Sequence, residues 1–279
     1  MKKLMISAVV ASAVLAGGAQ AQTNDWRTVT PENLWVIDTS KGRVLVELEP
    51  RIAPAHIQRI TALTERGFYD GLKFHRVIPD FMAQTGDPQG NGQGGSDLPD
   101  LAGEFSFRRG RDSGFTAVPN AGQGHLGFVG NAPVMTQPDA QMFINADMKV
   151  SAVPLFCPGS AGMARAGNPN SANSQFFLMT GAGEALNGGY TVFGRVVDGL
   201  DVVKSLKAGS EAADGAVADG ADTMTRVRLA SSLAENERPN VRVAVAGGAP
   251  FNEAVETARA SKGGGFTICD VKVPVQISN

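Results

Sequence analysis

Arg76 is the permanent cation in the run Phe74-His75-Arg76-Val77-Ile78-Pro79-Asp80-Phe81-Met82-Ala83-Gln84-Thr85-Gly86-Asp87, where it stands among aromatic, thioether and amide side chains. Alternation at Phe74, Arg76 and Ile78 fits a strand, Pro79-Asp80 is a turn signal, and a second short strand carries Phe81, Met82 and Gln84 toward Gly86. If both strands line one surface, a guanidinium faces a small apolar pocket. An arginine fork is rigid and always charged, which suits hydrogen-bond donation. Alternation puts His75 on the side opposite Arg76, where it reads as a buried structural histidine, and His56 and His125 have no partners at ligand spacing. There is no G-x-S-x-G elbow, and nothing couples a histidine to a serine, so a Ser-His-Asp hydrolase is excluded. Taken alone, the run is equally open to a bland reading, a core Phe-Met pair beside a surface ion pair.

Two further blocks follow downstream: Gly162-Met163-Ala164-Arg165-Ala166 with Asn173-Ser174-Gln175-Phe176-Phe177, then Tyr190-Thr191-Val192-Phe193-Gly194-Arg195-Val196. With the first block, which reads F-H-R-x-I-x-x-F-M-x-Q-x-G-D, they resemble the cyclophilins, the peptidyl-prolyl cis/trans isomerases, over residues 34–233. The resemblance implies a mainly β fold, a closed eight-stranded antiparallel barrel with a helix over each mouth. It implies Arg76 and Gln84 as the catalytic pair, Gln84 holding Arg76 or the substrate backbone. Phe81, Met82, Phe177 and Leu186 would form a proline pocket, with Ala164 and Gln175 along the groove. Arg165 stands where many members have Asn, Tyr190 where they have His, and Ala185 where many carry the Trp associated with cyclosporin. Drug binding is therefore expected to be weak.

The chemistry implied is spare. Amide resonance sets a rotation barrier of roughly 18–20 kcal/mol, while the cis and trans minima of an X-Pro bond differ little. A catalyst has only to grasp the proline ring and donate a hydrogen bond that strengthens as resonance is lost, with no nucleophile, metal or cofactor. The rival is a noncatalytic chaperone or scaffold holding proline-containing polypeptides in the same groove. Retention of Arg76 favours catalysis.

These residues need elements to position them. Residues 34–39 and 42–48 read as a hairpin joined by Ser40-Lys41. Ala53-Pro54 opens a helix with apolar Ile57, Ile60 and Leu63, stopped at Gly67. Gly90-Asn91-Gly92-Gln93-Gly94-Gly95 matches G-x-G-x-x-G, but Pro99 follows where a dinucleotide fold needs a helix, so a flexible loop beside the groove is expected. Residues 105–160 depart from the family pattern and read as a turn-rich insertion, a structural decoration more than a lid. Strands are expected at 174–180, 190–197 and 223–229, a short helix at 200–206, and a mobile Ala-, Asp- and Gly-rich loop at 211–222. Residues 234–279 read as a linker and a β-α-β appendage: a strand at 241–246, a helix at 251–260 and an extended segment at 266–275. So few residues cannot bury a core alone, and the appendage should pack on the barrel, against the insertion.

Lys2 and Lys3, an apolar run over 4–16 and Ala19-Gln20-Ala21 read as a secretory signal peptide, 1–21, followed by a polar leader, 22–33. The run is shorter than the roughly 20 residues a membrane span needs, and no other stretch is apolar enough. Export, to the periplasm, is the expectation. A formal net charge of −2 gives no electrostatic case for nucleic acid. Export permits a bond between Cys157 and Cys269, fastening insertion and appendage to the barrel; two unrelated buried thiols are the alternative.

Overall fold

The computed structural model describes residues 25–278, so the expected signal peptide lies outside the described residues. In chain order the elements are β1 (Trp26–Thr28), β2 (Leu34–Thr39), β3 (Gly42–Leu48), α1 (Pro54–Glu65), β4 (Arg76–Ile78) and β5 (Met82–Thr85). Then come β6 (Phe107–Arg109), β7 (Phe115–Ala117), β8 (His125–Val129), β9 (Ala132–Thr136) and β10 (Val150–Pro154). The chain continues through β11 (Ser160–Met163), β12 (Phe176–Met179), β13 (Val192–Asp198), α2 (Leu200–Lys204) and β14 (Met224–Leu229). It closes with β15 (Asn240–Ala244), α3 (Ala249–Lys262) and β16 (Val275–Ser278).

Eight strands form one curled antiparallel sheet in the order β14-β2-β3-β13-β11-β12-β5-β4. The closed barrel expected from the sequence needs correcting, because the edge strands β14 and β4 do not pair in a ladder. β4 is only three residues long, and the seam is spanned by the segment before it. Gly71 N donates to Met224 O, Met224 N to Leu72 O, and Phe74 N to Asp222 O. The other edge of β4 is taken by residues 209–217.

The concave side is filled by Trp35, Tyr69, Phe176 and Phe193, all fully buried, with edge-on and tilted ring contacts between 4.8 and 6.3 Å. Such ring pairs add to plain burial, and buried polar tips find partners. Trp35 Nε1 donates to Thr64 Oγ1 of α1 at 2.9 Å, and Tyr69 Oη to Ser174 O at 3.2 Å. α1 starts with Pro54, which has no N–H to leave orphaned, and Ala55 N and His56 N donate to the Glu104 carboxylate. α2 is a bare turn and a half, ending at Lys204 rather than Leu206. The expected strand at 174–180 likewise shrinks to β12, and the one at 190–197 shifts to β13, starting at Val192 and ending at Asp198.

The insertion is more than turns. Five of its strands make a separate antiparallel sheet, β6-β10-β9-β8-β7. Its Val118, Ala121, Leu126, Phe128 and Leu155 share a buried cluster with Phe251 and Val255 of α3 and with Phe266, Ile268 and Val271. Part of the expected leader also belongs to the appendage: β1 pairs with β15, Trp26 opposite Ala244, in a three-stranded sheet β1-β15-β16. Pairing covers a sheet edge that would otherwise stay open. Residues 266–275 are not one extended segment. Thr267 and Asp270 form a capping box around the 3-10 turn Ile268–Asp270, and the strand comes later, at β16.

Two fastenings join these parts. Cys157 at the end of the insertion and Cys269 in the appendage form a disulfide, Cα–Cα 4.9 Å. Arg195 of β13 is buried and its guanidinium donates to Asn131 O of the insertion at 3.2 Å and Val271 O of the appendage at 3.3 Å. Desolvation pulls its pKa down to about 10.

Candidate active site

Antiparallel register sets the site. Arg76 of β4 lies opposite Gln84 of β5, and Gln84 lies opposite Phe177 of β12. One line across three strands therefore carries guanidinium, amide and aromatic ring on neighbouring positions. Asp80 turns the β4–β5 connection in the left-handed region, φ 55°. Gly181 packs against it so closely that a Cβ would meet Asp80 O at 1.9 Å.

The polar side is a continuous chain of hydrogen bonds. Arg76 Nη1 donates to Gln84 Oε1 at 3.1 Å, Gln84 Nε2 to Gln175 Oε1 at 2.9 Å, and Gln175 Nε2 to Gly92 O at 3.0 Å and Gly94 O at 2.8 Å. The glycine-rich loop is thereby pinned, contrary to the flexible loop expected. Its second anchor is Asp87, whose carboxylate accepts from Gln89 N, Asn91 N and Gly92 N. Burial pushes the Asp87 carboxyl upward, but the backbone N–H groups outweigh it and hold it below the usual range.

The apolar side is a cup. Met82, Phe177, Met179, Val192 and Phe156 are buried together, with Phe81, Ala164, Leu186 and Tyr190 half-buried against them. Phe156 stacks on Phe177 at 5.5 Å, and Tyr190 meets Phe177 edge-on at 6.2 Å. Arg165 lies over the Tyr190 ring at 4.3 Å, its Nε donating to Gly189 O and its Nη1 to Ala166 O. Ala164 N donates to Gln175 O, tying the groove residue to the polar chain. Ala185 is exposed in the 3-10 turn Glu184–Leu186.

The structure thus brings Arg76, Gln84, Phe81, Met82, Ala164, Arg165, Gln175, Phe177, Leu186 and Tyr190 into one contiguous set of contacts. Two residues escaped sequence reasoning. Phe156 was counted with the insertion, although the apolar Leu155-Phe156 pair just before the groove block was a usable signal. Asp214 sits in the loop expected to be mobile, yet Arg76 Nε donates to its carbonyl at 2.8 Å and Arg76 Nη2 to its Oδ2 at 2.9 Å.

The histidines sit apart from this chemistry. His75 is buried, and burial, opposed by Asp87 and Gln175, holds its pKa below the usual imidazole range. His56, in the first turn of α1, is buried with Nδ1 2.7 Å from Glu104 Oε2; burial, opposed by that carboxylate, also lowers its pKa. Among the described residues no group of three His, Cys, Asp or Glu side chains is placed to hold a metal.

An apolar cluster beside an anchored guanidinium, on a curled eight-stranded antiparallel sheet, defines a cyclophilin-like protein. The chain belongs to that family: the family pattern "Cyclophilin type peptidyl-prolyl cis-trans isomerase/CLD" matches residues 34–229. It is 40% identical over 198 residues to the probable peptidyl-prolyl cis-trans isomerase of Brucella suis biovar 1 (strain 1330), a match covering 67% of this chain and 78% of that one. It is 34% identical over 170 residues to the peptidyl-prolyl cis-trans isomerase ppi1 of Schizosaccharomyces pombe, covering 61% and 82%. Cyclophilin AquaCyp293 from Hirschia baltica has a similar structure, with TM-score 0.80 and 34% identity over 90% of this chain and 93% of that one. A match so broad reaches well past residues 34–229. By family the protein is an enzyme, a peptidyl-prolyl cis-trans isomerase.

Proposed function

We propose that the protein accelerates rotation about X-Pro bonds of exported polypeptides, with Arg76 donating to the twisted amide while the cup of Phe81, Met82, Phe177 and Leu186 holds the proline ring. The observation that carries this reading is the anchoring of Arg76 from β5 by Gln84 at the edge of that cup. Three of its five N–H groups are engaged, which fixes the plane of the fork and leaves one donor on each Nη.

Twisting the amide removes resonance and makes its nitrogen a better acceptor. A donor fixed beforehand stabilises that state more than either planar form, and such differential binding lowers the barrier. No proton leaves the arginine and no covalent intermediate forms.

Substrates in an exported compartment fit the sequence of residues 1–21 and the Cys157–Cys269 bond, since structural disulfides persist where thiols are not kept reduced. With Ala185 in place of an indole, cyclosporin binds weakly. Exchange between the cis and trans proline resonances of a short Ala-Pro peptide tests the reading. Catalysed exchange by the purified protein supports it, and binding of the peptide without faster exchange would mark a holding module instead.

A further inference from the structure

We propose that Asp214 is a positioning residue for Arg76, so that the 209–217 loop is a working part of the active site. The proposal rests on the isomerase reading above and adds a residue to it. Arg76 is gripped from two directions, by Gln84 on β5 and by Asp214 in the loop along the other edge of β4. Asp214 supplies two acceptors of different kind, its carbonyl to Nε at 2.8 Å and its carboxylate to Nη2 at 2.9 Å. Two bonds on adjacent nitrogens fix the rotation of the guanidinium plane, which a single partner cannot do.

The loop is built to bring that residue there. Val77 N donates to Gly215 O, Gly209 N to Val77 O and Val217 N to His75 O, so the loop is laced to β4 on both sides of Arg76. Asp214 itself turns through the left-handed region at φ 52°, its N–H donating to Glu211 O, and Gly215 follows at φ 79°. A side chain at Gly215 would meet Ile78 Cγ1 at 2.4 Å, so the lacing requires glycine. The Asp214 side chain is 81% exposed, and a surface ion pair of that kind contributes little to stability. Its consequence lies in where the guanidinium points.

Asp214→Gly deletes the carboxylate and tolerates the left-handed backbone; Asp214→Asn keeps a side-chain acceptor without the charge. Each is made in the full chain, alone and with Arg76→Ala, and kcat and KM are measured on an Ala-Pro peptide. The cup binds the ground state while Arg76 acts on the twisted amide, so misorientation falls on kcat. Expected is a three- to tenfold loss of kcat in Asp214→Gly with KM within twofold, recovery to within twofold of wild type in Asp214→Asn, and no further loss when Asp214→Gly is added to Arg76→Ala. Wild-type kcat in Asp214→Gly overturns the proposal while leaving the isomerase reading intact, as does an equal loss on the Arg76→Ala background, which would mean the loop acts only on folding. An inactive wild type removes the isomerase reading, and the proposal with it.

Discussion

Changing Cys157 and Cys269 together to alanine opens a covalent loop between positions 112 residues apart. Closing a loop of that length removes about 16 cal/mol/K of denatured-state entropy, or about 4.8 kcal/mol at 25 °C. Alanine is the right replacement because Cys157 is wholly buried and a hydroxyl there would add an unpaired polar group. The native contacts that remain are substantial: Phe251, Val255, Phe266, Ile268 and Val271 still pack on the insertion, and Arg195 still bridges Asn131 and Val271. The variant therefore folds, with a loss concentrated in the denatured-state term. For a chain of this size about 1 kcal/mol corresponds to roughly 2–4 °C, so the melting temperature should fall by roughly 10–20 °C. Circular dichroism melts of both proteins, with and without reductant, measure it. Reductant should bring the wild type down to the variant and leave the variant where it is. A variant melting within about 3 °C of the nonreduced wild type would refute the loop-closure reasoning.

The buried histidines make stability depend on pH in a definite direction. Burial lowers the pKa of His56 and His75 in the folded state, so below pH 6.5 the unfolded chain takes up protons that the native one refuses, and stability falls with falling pH. Urea midpoints at pH 7 and pH 5.5 should show the decline, and His75→Gln should flatten it; an unchanged slope would mean His75 titrates normally. Cyclosporin should inhibit poorly because a methyl group at Ala185 offers no ring contact, and Ala185→Trp should raise its affinity. Nanomolar inhibition of the wild type, measured by the same peptide exchange assay, would contradict that expectation.

The central sheet was legible because its strands are rich in β-branched and aromatic residues and its turns are punctuated. Gly42 pairs with Thr39 at the tip of the β2–β3 hairpin as the Ser40-Lys41 link suggests, and Arg76, Gln84 and Phe177 fall on one line across β4, β5 and β12. What could not be read is pairing set by tertiary context. Residues 26–28 look like a polar leader because only β15, more than two hundred residues later, gives them a partner. Asp214 was hidden because Ala, Asp and Gly are the composition of a mobile loop, while its order comes from bonds to the β4 backbone that composition does not encode. The same holds for the glycine-rich loop, held by Asp87 and Gln175 rather than by its own residues. Short strands such as β6 and β7 carry too little periodicity to announce a second sheet.

Arg76→Ala, measured by kcat/KM on an Ala-Pro peptide, tests the central claim most directly. The substitution removes the donor beside the cup but none of the buried apolar residues that form it, and Arg76 is itself only half-buried. The circular dichroism spectrum and melting temperature should therefore stay close to wild type. Loss of a hydrogen bond made chiefly to the twisted amide should lower kcat/KM at least about tenfold, or about 1.4 kcal/mol of barrier stabilisation. A folded Arg76→Ala protein with wild-type kcat/KM would contradict the account.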